Sequence, residues 1–259
     1  MKENKYDDEQ FFNQYSQMSR SVDRLKGAGE WHILKQLLPD FQGKRVLDLG
    51  CGYGWHCQYA IEQGAAYVLG IDLSEKMLHE AQKRHTSSRV TYLCSAIEDY
   101  EFAPDIFDIV ISSLAFHYLE SFGDICHKIH RCLAVGGYFV FSVEHPVFTA
   151  QGNQDWIYDK QGHPLHWPVD HYFTEGKRTA HFLGEEVLKY HKTLTTYING
   201  LLQAGFELLA LREPEPDRAL VDKIPGMENE LRRPMMLLIA ALKKGTHHAH
   251  SKEITRDCP

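Results

Sequence analysis

The chain holds 259 residues, 43% hydrophobic and 24% charged, which is enough apolar material for one large domain with a real core. Its formal net charge of -7 argues against a phosphate-backbone partner, because such partners demand a basic face. The polar start MKENKYDDEQ lacks the marks of a secretory signal, and no apolar run approaches the ~20 residues of a membrane span, so a soluble cytoplasmic protein is expected.

In chain order, Glu30 to Leu38 reads as a helix stopped by Pro39. Arg45 to Leu49 is a short buried strand, and Trp55 to Gln63 is a helix ending at Gly64. Tyr67 to Ile71 is a second strand, followed by a helix from Ser74, its N-cap, to His85. Val90 to Cys94 and Phe107 to Ser112 are the third and fourth strands. Ser121 opens a helix to Leu133 with Asp124 three residues on, and Gly136-Gly137 launch a fifth strand, Tyr138 to Val143.

The rhythm then breaks. Residues 147–190 carry many aromatics, with a hairpin expected over Asp170 to Phe182, turning at Glu175-Gly176. Thr193 to Gln203 resumes as helix, and Phe206 to Arg212 and Met235 to Leu242 read as closing strands. The tail at 246–259 has no periodicity, and disorder is expected there. Cys51, Cys57, Cys94, Cys126, Cys132 and Cys258 show no C-x-x-C spacing, which suggests reduced thiols. No metal-ligating set is read from the sequence.

Strands alternating with helices imply a mostly parallel sheet with ligands at the strand carboxyl ends. Gly50, Gly52 and Gly54 follow a buried strand and precede a helix, so the backbone there is free to approach a ligand. Asp72, at the end of the second strand, is placed to accept two ribose hydroxyls. A dinucleotide site would carry a third glycine at G-x-G-x-x-G, where this chain has Trp55 and His56.

VLDLGCGYG (residues 46–54) resembles motif I of the class I S-adenosylmethionine (SAM)-dependent methyltransferases, and IDLSEKML resembles motif II. SSLAFHYLE and LAVGGYFVFSV resemble the ends of strands four and five, in the same order. The resemblance implies a doubly wound α/β fold with a seven-stranded, mostly parallel sheet, its last strand antiparallel and helices on both faces. The resemblance covers roughly residues 30–145 and the final strands, and implies one domain over 1–245 with an N-terminal lid at 1–29 and an inserted substrate cap at 147–190. SAM is the implied cofactor and S-adenosylhomocysteine (SAH) the product.

Residue by residue, the resemblance places Gly50, Cys51 and Gly52 against the carboxypropyl group and ribose, and Asp72 on the ribose diol. Leu73 and Met77 flank the adenine, which Ala96 and Ile97 also contact. Ser113 and Leu114 lie beneath the methionine portion, and Asp48 meets its amino group through water. Ser95 stands where many relatives carry Asp to read the adenine amino group, and Glu98 is a substitute for that role. Tyr15 and Arg20 reach the site from the lid; the competing reading of that stretch is a solvated amphipathic helix.

Methyl transfer needs an in-line nucleophile, exclusion of water and, for an amine or hydroxyl, a base. His117 follows strand four and Glu144-His145 follow strand five, at the ligand end of the sheet, with His191 a further candidate. Each of these histidines reads equally as a structural hydrogen bond. Trp156, Trp167, Tyr172 and Tyr190 in or beside the cap suit a flat or apolar acceptor, and they also suit a cap core. No N/D-P-P-Y/F follows strand four, so a small-molecule O- or N-methyltransferase is expected, as monomer or homodimer. A non-catalytic SAM- or SAH-binding module and an NAD(P)-dependent oxidoreductase are the alternatives.

Overall fold

A computed structural model describes residues 4–245, so the expected tail, with Cys258, lies outside the described residues. Helices α1 (Glu9–Ser16), α2 (Ser19–Val22) and α3 (Trp31–Leu37) precede β1 (Arg45–Leu49). There follow α4 (Trp55–Glu62), β2 (Tyr67–Asp72), α5 (Glu75–Arg84), β3 (Val90–Cys94), β4 (Phe107–Ser113), α6 (Phe122–Cys132) and β5 (Leu133–Glu144). The stretch between β5 and α8, where the cap is expected, contributes α7 (Pro146–Thr149), β6 (Ile157–Tyr158), β7 (Pro164–His166), β8 (Gly176–Phe182) and β9 (Glu185–His191). The chain closes with α8 (Leu194–Gln203), β10 (Phe206–Arg212), α9 (Arg218–Lys223) and β11 (Met236–Lys243).

Seven strands form one sheet in the order β10-β11-β5-β4-β1-β2-β3, and β11 runs antiparallel to both of its neighbours. Alternation along each strand decides what it buries. In β1, Leu47 and Leu49 join the core formed with α6 and α8, through Ile125, Ile129, Tyr197 and Leu201. Val46 faces the opposite core with Cys57, Ala60 and Ile61 of α4 and Leu78 of α5. Helices therefore cover both faces. Asp48 falls on the α4 side, in register with Gly70 of β2 and Ile111 of β4.

The caps expected at Ser74 and Ser121 form, with the hydroxyls accepting from Met77 and Asp124 N–H. The cap hairpin is a correction. The expected turn at Glu175-Gly176 is its foot, and the turn lies at Leu183-Gly184, both left-handed at φ 52° and 74°. Two left-handed turn residues match the right-handed twist of the flanking strands. Leucine in the first of those positions hides the turn, and Glu175 is instead recruited by the Thr193 N–H and hydroxyl, each at 2.7 Å.

Candidate active site

The turn after β1 wraps back onto the end of β2. Gly50 and Cys51 N–H both donate to the Ile71 carbonyl at 2.8 and 2.9 Å. Gly52 N–H donates to Asp72 Oδ2 at 2.8 Å, while Oδ1 accepts from Ser74 N–H at 2.9 Å. Gly50 sits at φ +75°, and a Cβ there would lie 2.4 Å from that of Ala115, so the loop closes against the segment after β4 only with glycine. A Cβ on Gly52 would meet nothing within 4 Å. Open space therefore lies over the loop, beside an acid whose charge burial disfavours, raising its pKa.

Asp48 lies beneath the loop, 1% exposed. Oδ2 accepts from the Cys57 thiol at 3.2 Å, and buried Oδ1 has no hydrogen-bond partner. Burial pushes its pKa up to about 7. On the adenine side of the expected cofactor, Ser95 N–H donates to the Asp72 carbonyl at 2.9 Å, and the Ser95 hydroxyl turns to the Ala96 carbonyl at 3.0 Å. Ala96, Ile97 and Met77 are buried, and Ile97 reaches 3.8 Å from the Cβ position of Gly50. Leu73 and Glu98 present carbonyls already held by Asn4 and by Lys128.

The opposite wall begins at the end of β4. Leu114 is left-handed at φ 55°, an uncommon state for leucine, and is fixed by N–H donation to the Ser142 carbonyl at 2.9 Å. The Ser142 hydroxyl donates to Ser113 at 3.2 Å, and Ser113 donates to Glu30 at 3.3 Å. Arg20 closes this chain, 2.7 and 3.0 Å from the two Glu30 oxygens. Burial works against the Glu30 carboxylate, but Arg20 and the hydrogen bonds outweigh it and hold its pKa below the ordinary value. Tyr15 faces both the glycine loop, 5.9 Å from the Tyr53 ring, and Tyr6 at 5.2 Å.

Glu144 ends β5, and its carboxylate is held by two side chains. Its Oε1 is 2.5 Å from Lys189 Nζ of β9, and its Oε2 accepts from Gln154 Nε2 at 2.8 Å. Gln154 also accepts from Lys189 at 2.9 Å. His117 Nε2 stands 4.0 Å from Glu144 Oε1, while Nδ1 accepts from Glu144 N–H at 3.4 Å. Burial opposes the Glu144 charge, but the Lys189 ammonium and the hydrogen bonds from Lys189 and Gln154 favour it, and the carboxyl stays below its ordinary pKa. His117 is driven by burial down to about 4 and is neutral.

The other expected residues are elsewhere. His145 Nδ1 accepts from Val147 N–H at 3.0 Å, capping α7. Its Nε2 is 2.7 Å from Glu213 but out of line for a hydrogen bond. His191 joins Thr149 at 2.8 Å and the Tyr172 carbonyl at 2.8 Å, and the Tyr172 hydroxyl accepts from Leu194 N–H. Trp167 stacks on Phe148 at 5.0 Å, and the Arg233 guanidinium lies 3.9 Å from its ring centroid. Trp156 meets Trp167 edge-on at 5.4 Å, under Arg232. Tyr190 lines a separate cleft of about 390 Å³ at the hairpin foot, with Glu120, Glu175 and Lys192. Sequence reading missed Lys189, Gln154, Glu30, Tyr6 and Tyr118. One signal was present: in EEVLKYH the buried face runs Val187, Lys189, His191, which puts a lysine on the inward side of a strand.

A mostly parallel sheet whose final strand alone runs antiparallel, a glycine turn after β1 and an acid at the end of β2 define a methyltransferase-type α/β domain. A methyltransferase-domain family model matches residues 47–141. A structure described as a putative SAM-dependent methyltransferase from Listeria monocytogenes is 60% identical, covering 85% of this chain and 99% of that one, with a TM-score of 0.81. A SAM-dependent methyltransferase structure from Mesorhizobium loti is 41% identical over 84% and 99% of the two chains, with a TM-score of 0.78. An uncharacterized protein of Haemophilus influenzae is 36% identical over 92% of this chain and 96% of its own. The chain belongs to the class I SAM-dependent methyltransferases, and SAM is its cofactor. No helix among the described residues is long and apolar enough to cross a membrane.

Proposed function

We propose that this enzyme methylates an oxygen or nitrogen atom of a small molecule, with Glu144 as the base. The observation that carries this reading is the enclosure of Glu144. It is reached between a cap strand bearing Lys189 and an N-terminal segment whose Tyr6 hydroxyl lies 3.1 Å from that of Tyr118. A polymer has no path to a carboxylate so covered, whereas a small acceptor fits beneath a cap.

SAM supplies, when bound, a methyl group made electrophilic by its sulfonium. Asp72 would hold its ribose, and the open space over Gly52 with the orphaned Asp48 oxygen fits the group. Met77, Ala96 and Ile97 would hold the adenine, with Leu73, Ser95 and Glu98 at its rim. Gly50 and Cys51 would border the ribose, and Ser113, Leu114, Tyr15 and Arg20 the amino-acid end. Glu144 takes the acceptor's proton; Lys189 and Gln154 fix the carboxylate, and neutral His117 shields it from water. His145, His191 and Tyr172 act through the cap they hold together, and Trp156 and Trp167 through its core, with Tyr190 at the cap's edge.

Calorimetric titration with SAM, SAH and NAD tests the cofactor half. Micromolar SAH binding, weakened at least tenfold (about 1.4 kcal/mol) in Asp72→Ala, is the expected result. Methyl-tritiated SAM incubated with panels of carboxylates, phenols and amines tests the acceptor half. Glu144→Gln is expected to abolish transfer while SAH binding is kept. A non-catalytic binding module would show no transfer to any acceptor, and NAD binding without SAH binding would point to the oxidoreductase.

A further inference from the structure

The N-terminal segment touches more than the cofactor side. Asp7 sits at the start of α5, immediately after Asp72: Oδ1 accepts from the Ser74 hydroxyl at 2.5 Å and Lys76 N–H at 3.1 Å, and Oδ2 from Glu75 N–H at 3.4 Å. Asn4 joins it, donating to Asp7 at 2.6 Å and to the Leu73 carbonyl at 3.3 Å. A carboxylate there complements the helix N-terminus and satisfies its free N–H groups. Phe12 then lies on Tyr53 of the glycine loop, with ring centroids 5.9 Å apart.

The same segment grips the tip of the cap hairpin. Phe11 is fully buried, with its ring centroid 5.8 Å from that of Phe182, the last residue of β8. Lys5 Nζ is 3.5 Å from Glu185, the first residue of β9, and Gln14 lies against Gly184 in the turn between them. Four residues further along β9 is Lys189, the partner of Glu144. A continuous set of contacts thus runs from the ribose acid through α1 and the hairpin tip to the proposed base.

We propose that the N-terminal segment and the cap hairpin close as one unit, so that a filled acceptor pocket lengthens the stay of the cofactor and the cofactor orders the acceptor pocket. This rests on the cofactor and acceptor sites proposed above. Phe11 is the shared element: lifting the segment or swinging the hairpin away exposes the same ring, so either motion carries the penalty of the other. Coupling of this kind is reciprocal between the two ligands.

The experiment is stopped-flow dissociation of SAH from the full chain, comparing wild type, Asp7→Asn, Phe182→Ala and the double variant. Each single substitution is expected to speed SAH release about tenfold. Because both open one unit, the double variant is expected to release SAH no more than about twice as fast as the faster single variant. His181→Ala, exposed on the hairpin's other side, is expected to leave the rate unchanged. Multiplying effects, near a hundredfold, would show two independent covers and overturn the proposal, as would an unchanged rate in Phe182→Ala. Circular dichroism spectra and melting curves identify any variant that has lost its fold; charge reversal by Glu185→Lys, rescued by adding Lys5→Glu, is then the parallel test, and absence of rescue counts against coupling. If wild type binds no SAH, or Asp72→Ala binds it as well, the cofactor site itself is wrong. Normal SAH binding with no effect of Phe182→Ala removes the coupling alone.

Discussion

The two halves of the crevice are built differently. The glycine-loop wall of the proposed cofactor half is short-range: Gly50 to Gly54, Asp72 and Ser74 lie within 25 positions of one another, and backbone N–H groups do most of the holding. The proposed acceptor half is long-range: Glu144 and Lys189 are 45 positions apart, and Tyr6 and Tyr118 are 112 apart. Backbone-held geometry tolerates little change at any one position, whereas side-chain pairs can be removed together. Substitutions in the first half should therefore act singly, and those in the second as pairs.

The largest break is expected at Asp48. Its folded pKa of about 7 lies above the unfolded value, so the native state keeps a proton that the unfolded chain releases. The stability this gives is complete below about pH 4 and is lost as pH rises to about 7, roughly 4 kcal/mol in all. Asp48→Asn removes the term, so its stability relative to wild type should climb by that amount from pH 4 to 8 in urea titrations. Depressed groups such as His117 slope the other way and cancel in the difference. A flat difference would mean that Asp48 is ionised throughout.

Gly50→Ala comes next. Its Cβ would meet Ala115 at 2.4 Å on a left-handed backbone, so a loss of about 2–3 kcal/mol in stability and of SAH binding is expected by urea unfolding and calorimetry. Lys189→Met sharpens the contrast. Removing one partner of a largely buried pair should cost about 2 kcal/mol and end methyl transfer, yet leave SAH affinity within about twofold. Adding Glu144→Gln should return most of that stability without returning activity, which is the pairwise behaviour expected of this half. The smallest effect is Trp156→Ala, expected to cost about 1 kcal/mol or less, because the ring is part-exposed and Trp167, Phe148 and Arg233 remain clustered without it. A complete loss of acceptor methylation there, with SAH binding intact, would move that ring from the cap core to the acceptor.

The same contrast explains how much could be read before the structure. The order of strands, the glycine turn and Asp72 were legible because their chemistry depends on neighbours a few positions away. His145 was placed after the fifth strand and His191 before a helix, but position along the chain does not tell which bonds a ring nitrogen already makes. Glu144 was found without its partner, since Lys189 reaches it only after the hairpin folds over. The turn at Leu183-Gly184 was missed because a leucine there carries no turn signal.

The backbone ladder of the cap hairpin is its own: β8 and β9 form a two-stranded sheet that shares no ladder with the seven-stranded one. Its attachment to the domain is through side chains and its two feet. It is therefore a cassette, and residues 176–191 can be exchanged between homologues without breaking a ladder of the main sheet. The transplant has to keep the side chains that dock on the host, among them Phe182 against Phe11, Glu185 against Lys5, Lys189 on Glu144 and His191 on Thr149.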